Sequence, residues 1–506
     1  MNWYQLSATQ LSDAIAKREG TVVEVVESFI EHIQKKNEEV NAIVIPLFEE
    51  ARKEARILDD MLIRGKVKGP LHGVPVTVKE NLNVKNTPST WGIEGRNSLV
   101  EDDDPSIKRL REAGAIILGK TNAMQLLLGC ETLNPVYGRT TNPWDRNRTP
   151  GGSSGGEGAA VASLFSPLGI GTDIGGSVRT PAQFCGIHAL KPTPGTIPQA
   201  PPEGIFHIRK ETAEMSSIGP IARSVEDLKL AFQVLAGKTV EEMGLNGLTI
   251  GLWETDGILD PSPSISRALH EVSELLIKAG AKVVRYSFPY VKESMQGFYG
   301  LMCPDGGEGM KKTIGESKKE FAIENAIRTQ SIHPFKRKLM SFFLGKLGQK
   351  TVSEIILPFT GKKDEEAFQS LVQKRKDYQK SILLDWKEKG IDLVLCPAFP
   401  TPALLHEGSK KFSYEGAYNS LINYLGFCSG AFSYTLVREE EQVEMRNRKD
   451  LVHQAAMENE RGSAGLPIAV QFVAKPHDES LVLSAMKWLE IQSQDRKDYP
   501  PAIISK

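Results

Sequence analysis

The sequence has few cysteines and no arrangement of them that suggests a cross-link or a metal site. Its 506 residues include five cysteines, none in a CxxC unit, and nine histidines, none in an HExxH or H-x₃₋₅-H pair. These spacings give no basis for a disulfide framework or for a zinc site. We therefore predict no metal and a reducing compartment.

Long apolar runs and an excess of charge of either sign are also missing. No stretch of about 18 apolar residues occurs, which argues against a transmembrane helix. The first 20 residues lack the basic and apolar regions of a secretory signal. The formal net charge of −1 gives no overall attraction to nucleic acid or to an anionic membrane. We expect a cytoplasmic protein with no transmembrane segment that acts on a small molecule rather than on nucleic acid.

Apolar periodicity alternates between helix and strand along most of the chain. Helices are predicted at 7–19 and from residue 21, each opened by a capping box. Residues 73–79 form a short β-rich segment, Asp104-Pro105 opens a helix, and 115–118 is the next buried strand, which together indicate a βαβ unit. Further strands are predicted at 248–253, 281–286, 392–396 and 466–473, and further helices at 225–237, 265–278 and 479–492. This pattern predicts an α/β protein, and no linker divides it into separate domains.

Residues 290–385 interrupt the alternation, because they are helical and charged throughout. We predict that they form an insertion over the sheet. Within it, residues 336–350 place Leu339, Phe342, Phe343 and Leu347 on one side of a helix among several lysines. We favour a helix packed on the sheet with a solvated basic side; a lid, a channel wall and a membrane-surface helix are the alternatives.

The most unusual stretch is residues 151–182, where two glycine-flanked serine clusters enclose a run of small residues. Glycine permits close approach of the backbone to a ligand and costs conformational entropy, so such a segment favours a functional role. The candidates for chemistry are Ser153, Ser154 and Ser177.

Several known catalytic and nucleotide-binding motifs match the sequence only in part. No lysine follows the glycines as a Walker loop requires, and the third position of a GxGxxG falls on Val161. Residues 151–155 match GxSxG, but a polar, turn-rich run replaces the strand that a nucleophile elbow needs. An SxxK match at Ser484 to Lys487 lies on a predicted surface helix without its partner motifs, and we interpret it as chance.

A paired-serine site with a lysine base is what remains. Neither cluster contains a histidine, so another side chain must take the proton from an attacking hydroxyl. Lys79 ends an apolar strand, where burial lowers a lysine pKa from about 10.4 by up to about 3–5 units. The backbone N–H groups of Ile174, Gly175, Gly176 and Ser177 are candidates for an oxyanion hole.

At this point the chain resembles the amidase signature family of serine hydrolases. The resemblance rests on GSSGG at 152–156, DIGGSVRTPA at 173–182 and GVPVTVKEN at 73–81, and it extends to shorter motifs at 119–122, 190–193, 219–227 and 465–467. It implies an amidase signature fold, in which helices cover both faces of a central twisted mixed β-sheet and a helical insertion lies over the active site. We accordingly predict one domain over 1–506, with a signature core at about 70–230 and the insertion at about 290–385.

The resemblance also implies the roles of the site residues. Ser177 would be the nucleophile, Ser153 the bridging serine and Lys79 the final base, with a cis Gly152–Ser153 peptide and no cofactor. The reaction would be amide hydrolysis through an acyl-enzyme intermediate.

Some residues indicate a particular branch of the family and so a class of substrate. Glu157, Ile174 and residues 192–198 resemble the fatty acid amide hydrolase branch. This implies hydrophobic acyl amides or anilides, and also esters, as substrates of a monomer or homodimer. A urethane- or aryl-amide-cleaving amidase is the alternative, and a glutamyl-tRNA amidotransferase A-type subunit, which would need partner subunits, is a further one.

Structural interpretations are expected for the neighbouring polar residues. Asp173 and Arg179 are predicted to form an ion pair that holds the loop. Cys185 and His188 are expected to be packed core residues. Ser154 and Thr172 are candidates for satisfying backbone groups of the glycine loops.

Overall fold

The computed structural model describes residues 2–205, 208–358, 361–411, 416–442 and 449–500. The strands are β1 Ile43–Pro46, β2 Pro75–Lys79, β3 Ile116–Thr121, β4 Leu133–Asn134, β5 Gly138–Arg139, β6 Leu168–Asp173, β7 His188–Lys191, β8 Ser217–Ala222, β9 Thr249–Leu252, β10 Lys282–Arg285, β11 Leu393–Pro397, β12 Cys428–Leu436 and β13 Pro467–Ala474. The helices before the insertion are α1 Ala8–Ala16, α2 Val22–Val40, α3 Phe48–Ile63, α4 Pro105–Glu112, α5 Gly155–Ala162, α6 Arg179–Cys185, α7 Lys210–Ala213, α8 Val225–Ala236 and α9 Pro263–Lys278. The remaining helices are α10 Val291–Met302, α11 Glu308–Ile314, α12 Phe321–Ser331, α13 Pro334–Lys346, α14 Lys350–Ile356, α15 Glu365–Lys389, α16 Gly408–Lys411, α17 Ala417–Leu425, α18 Leu451–Glu460 and α19 Glu479–Ser493.

Eleven of the described strands form one mixed sheet, in the order β1-β3-β2-β6-β8-β7-β12-β13-β11-β9-β10. β2 pairs in parallel with both β3 and β6, whereas β6, β8, β7, β12 and β13 run antiparallel to their neighbours in that order. Helices flank the sheet, so the predicted fold class is confirmed. The parallel pair of β2 and β3, joined through α4, is the predicted βαβ unit.

Local sequence signals account for the ends of several helices. The Ser7 and Thr21 hydroxyls each accept the backbone N–H of the residue three positions on, and both predicted capping boxes are complete. Asp104 caps α4 through the N–H of Ser106, with Pro105 as the first helical residue. These contacts satisfy N–H groups that a helix leaves without internal partners.

The parallel pairing of β2 with β6 decides where the site lies. Val78 of β2 pairs with Ile170 of β6, and both strands run in the same direction. Their carboxyl ends therefore meet at one edge of the sheet. Lys79 ends β2 and Asp173 ends β6, so the residues after each strand converge there.

The predicted insertion consists of α10 to α15. Residues of α10, α11 and α12 cover the edge of the sheet at which β2 and β6 end, through a second apolar cluster that includes Phe298, Met302 and Met310. The expectation for residues 336–350 was wrong. Helix α13 packs beside α14, and Phe342 and Phe343 are more than half exposed instead of packing on the sheet.

The described helices include none that combines the length and the apolar character needed to cross a membrane.

Candidate active site

Three segments bring the predicted catalytic side chains together. Lys79 is the last residue of β2, Ser177 lies in the turn between β6 and α6, and Ser153 comes just before α5. All three side chains are at least nine-tenths buried, and Ser177, at 8% exposed, is the most accessible of them.

The three side chains form a continuous hydrogen-bonded line. Lys79 Nζ lies 2.7 Å from Ser153 Oγ, and Ser153 Oγ lies 2.9 Å from Ser177 Oγ. Both distances are within hydrogen-bonding range. A proton can therefore pass between Ser177 and Lys79 through one intervening hydroxyl.

Thr172 and Ser154 hold this line from the side. Lys79 Nζ donates to Thr172 Oγ1 at 3.0 Å, and Ser154 Oγ donates to the Thr172 carbonyl at 3.2 Å. Thr172 therefore contacts the lysine directly, beyond the backbone role expected for it, whereas Ser154 has that role.

Burial alters the acid–base chemistry of Lys79. Removal from water lowers its pKa from 10.5 to about 7, although the carboxyl groups of Asp173, Glu157 and Glu80, when ionised, act in the opposite direction. A charged ammonium loses its hydration in such a site, so the neutral amine is favoured. Lys79 is therefore able to act as a base near neutral pH.

Glu157 is a buried acid beside this site, and its sequence context predicted no chemical role for it. Its carboxyl oxygens accept hydrogen bonds from the Thr77 and Thr121 hydroxyls, each at 2.7 Å. Burial raises the pKa of Glu157 to about 8. Its position in the first turn of α5 places a titratable group behind the lysine.

The Asp173–Arg179 ion pair is present as predicted. The two side chains are fully buried and lie 2.9 Å apart, and Arg179 holds the pKa of Asp173 well below its usual range despite the cost of burial. Asp173 also accepts the Gly176 N–H at 2.8 Å and the Val178 N–H at 3.1 Å. The pair thus fixes the turn that carries Ser177.

The Gly176 contact changes the prediction for the oxyanion hole. An N–H that donates to the Asp173 carboxylate is not available to a substrate, so Gly176 leaves the predicted set. The N–H groups of Ile174, Gly175 and Ser177 donate to no other group in the described chain.

Close packing explains two of the glycines around Ser153. The Gly152–Ser153 peptide is cis, as predicted. A Cβ on Gly152 would collide with the carbonyls of Glu131 and Gly129, and one on Gly156 would collide with the backbone of Asn122. Glycine is therefore required for this loop to reach its position.

Two cavities meet at Ser177. The larger, of about 620 Å³, includes Asn81, Trp91, Ser153 and residues 197–202 in its wall. The smaller, of about 170 Å³, is lined mainly by apolar side chains, with Phe298, Met302 and Met310 of the insertion among them. Both share Ile174 and Ser177, so a substrate bound across them would present its central bond to the serine.

The remaining candidates have structural roles. His188 stacks on Phe432 and accepts the Ser433 N–H at 3.2 Å, and burial lowers its pKa to about 4. The Cys185 thiol is buried and donates to the Pro150 carbonyl. In the SxxK match, Lys487 pairs with Glu490 instead of Ser484.

Among the residues that the structure describes, no group of three or more histidine, cysteine, aspartate or glutamate side chains is arranged to hold a metal ion.

Known proteins resemble this chain in sequence and in fold. A sequence profile of the amidase family matches residues 24–483. Fatty-acid amide hydrolase 1 of Sus scrofa is 32% identical over 449 residues, which cover 84% of this chain and 76% of that protein. The A-type subunit of the Clostridium botulinum glutamyl-tRNA(Gln) amidotransferase is 29% identical over 450 residues, covering 84% of this chain and 87% of that protein. A solved fatty acid amide hydrolase structure superimposes with a TM-score of 0.79 over 97% of this chain and 85% of that one, at 24% identity.

Proposed function

Because the chain belongs to the amidase signature family and is an amide hydrolase, we propose that it cleaves its substrate through a Ser177–Ser153–Lys79 relay. The observation that carries this proposal is the unbroken line of contacts from Lys79 Nζ through Ser153 Oγ to Ser177 Oγ, at 2.7 and 2.9 Å. A buried lysine at the end of that line supplies the base that a serine nucleophile needs.

The proposed reaction begins with attack of Ser177 Oγ on the carbonyl carbon of the amide. The Ser177 proton moves to Ser153 as the Ser153 proton moves to neutral Lys79. Collapse of the tetrahedral intermediate breaks the C–N bond, and the relay returns a proton to the leaving nitrogen. Water then attacks the acyl-enzyme by the same path and releases the acid.

Negative charge that develops on the carbonyl oxygen needs donors that are already in place. We assign this role to the N–H groups of Ile174, Gly175 and Ser177, which lie in the turn braced by the Asp173–Arg179 pair. Loss of one such donor costs roughly 10²–10³ in rate in comparable sites.

The substrates we propose are hydrophobic acyl amides or anilides, with esters as further substrates. The two cavities that meet at Ser177 support this, since the smaller one has a mainly apolar wall suited to an acyl group. Carbamates and aryl amides remain the alternative substrates. The five cysteines, all among the described residues, form no disulfide with one another, which suits the reducing cytoplasm that we propose as the location of the protein.

Similarity to the amidotransferase subunit raises the alternative that this chain is one subunit of a larger enzyme. Its A-type chain would depend on partner subunits, whereas the proposed hydrolase acts alone as a monomer or homodimer. Turnover of a simple amide by the purified single chain supports the hydrolase. Activity only after a partner is added would favour the amidotransferase.

The function is tested by a substrate panel with one acyl chain. The amide, anilide, ester and carbamate of the same acid are offered to wild-type protein and to Ser177→Ala. We expect turnover of the amide and anilide by the wild type and a loss of at least about 10³-fold in the variant. Equal turnover by the two proteins would refute the role of Ser177, and turnover of the carbamate alone would refute the substrate class.

A further inference from the structure

Asn81 lies next to the reacting groups but belongs to none of the contacts described so far. It follows Lys79 and Glu80 in a turn closed by the Leu82 N–H, which donates to the Lys79 carbonyl at 3.0 Å. Its side chain is 6% exposed and lines the larger cavity together with Ser153 and Ser177.

The side-chain oxygen of Asn81 has no hydrogen-bond partner among the residues that the structure describes. Oδ1 is buried and accepts no hydrogen bond from the described residues. The adjacent Glu80 differs, because its carboxylate accepts the N–H groups of Thr90 and Trp91. A buried carbonyl oxygen without a donor is costly and rare in folded proteins, so a partner from outside the chain is expected.

No hydrogen bond from the described residues to Oδ1 holds this carboxamide in one orientation about χ2. A turn about χ2 exchanges Oδ1 with the amide nitrogen at the cavity face, so either atom can be presented to a bound molecule. The Asn81 carboxamide can thus form a hydrogen bond with a molecule bound in the cavity that Ser177 lines.

The N–H group of a bound secondary amide is a hydrogen-bond donor, and none of the contacts in the proposed relay gives it an acceptor. In the geometry proposed above, its carbonyl oxygen faces the N–H groups after β6, and its own N–H is directed into the larger cavity. The hydroxyls of Ser153 and Ser177 are committed to the proton relay. Asn81 Oδ1 is a buried acceptor of a residue in the same wall, and it accepts no hydrogen bond from the described residues.

We propose that Asn81 Oδ1 accepts a hydrogen bond from the N–H of the scissile amide. Asn81 then selects substrates that carry this N–H, such as amides and anilides, over esters and N-alkylated amides. This inference rests on the proposed function, because it needs the substrate carbonyl at Ser177.

The test compares three substrates with one acyl chain: an anilide, its N-methyl derivative and the phenyl ester. Asn81→Ala should lower kcat/KM for the anilide by about tenfold, the value of one hydrogen bond to a buried group. The ester and the N-methyl anilide lack the donor and should each change by less than about twofold. The near-isosteric Asn81→Leu should give the same pattern.

Gln199→Ala is the matched control, since Gln199 is another carboxamide in the wall of the same cavity. It should leave the ratio of anilide to ester turnover unchanged. An equal loss on anilide and ester in both Asn81 variants would overturn the inference, while ester turnover through Ser177 would leave the proposed function intact. Failure of the wild type on every substrate would overturn the proposed function, and the inference with it.

Discussion

The lowered pKa of Lys79 should make acylation depend on pH near neutrality. With its ordinary pKa of 10.5, about one lysine in 3,000 is neutral at pH 7; with a pKa of about 7 the neutral fraction is about one half. Because only the neutral amine accepts the proton, kcat/KM for an uncharged ester should fall about tenfold per pH unit below pH 7. It should level off above pH 8, and stopped-flow acylation should follow the same curve.

Lys79→Met tests whether the acid limb, the fall in kcat/KM below pH 7, is caused by protonation of Lys79. Methionine keeps much of the side-chain volume without the amine. Acylation should slow by about 10²–10⁴ and lose its dependence on pH near 7. Lys191→Met is the matched control. Lys191 is equally buried and its pKa is also lowered to about 7, but among the described residues its Nζ donates to the Pro192 carbonyl and to no serine. A pH limb that persists in Lys79→Met, or disappears in Lys191→Met, would refute the reasoning.

Two further predictions concern stability. The pKa of Lys79 is lower in the folded protein than in the unfolded chain, so the stability of the wild type should decline as the pH falls from 10.5 to 7. Lys79→Met lacks this titration, and its free energy of unfolding relative to wild type should rise by about 2–3 kcal/mol between pH 9 and pH 6 in urea titrations. A constant difference would contradict the lowered pKa. Arg179→Met should lower the free energy of unfolding by about 3–5 kcal/mol because it leaves the buried Asp173 carboxylate without its cation. The control Lys411→Met removes an exposed ion pair with Glu458 and should lower the free energy of unfolding by less than about 1 kcal/mol. Equal effects of the two substitutions would exclude a special role for the buried pair.

Local signals were sufficient to predict much of the framework. Capping boxes at Ser7 and Thr21 and the Asp104-Pro105 pair marked helix starts because each cap is made within a few residues of chain. Strands β6 and β8 were not predicted, since their sequences LGIGTD and SIGPIA lack an apolar alternation and contain glycine or proline. They form strands because neighbours on both sides supply hydrogen bonds and burial.

The site was predictable only in part, for a related reason. Two serine clusters and a strand-end lysine are visible in the sequence, and the family motif relates them. The contact of Thr172 with Lys79, the loss of Gly176 from the donor set and the unpaired Asn81 all depend on groups far apart in the chain. The exposed face of α13 likewise depends on which neighbours are present, and the single-domain organisation stays a prediction.

The most direct test of the central claim is to locate the covalent adduct formed with a fluorophosphonate. Peptide mass spectrometry of the labelled wild-type protein should place one adduct on Ser177, and Ser177→Ala should not be labelled. Ser153→Ala should react at the same serine but more slowly, because Ser177 loses its connection to Lys79. An adduct on Ser153 or Ser154, or undiminished labelling of Ser177→Ala, would contradict the account.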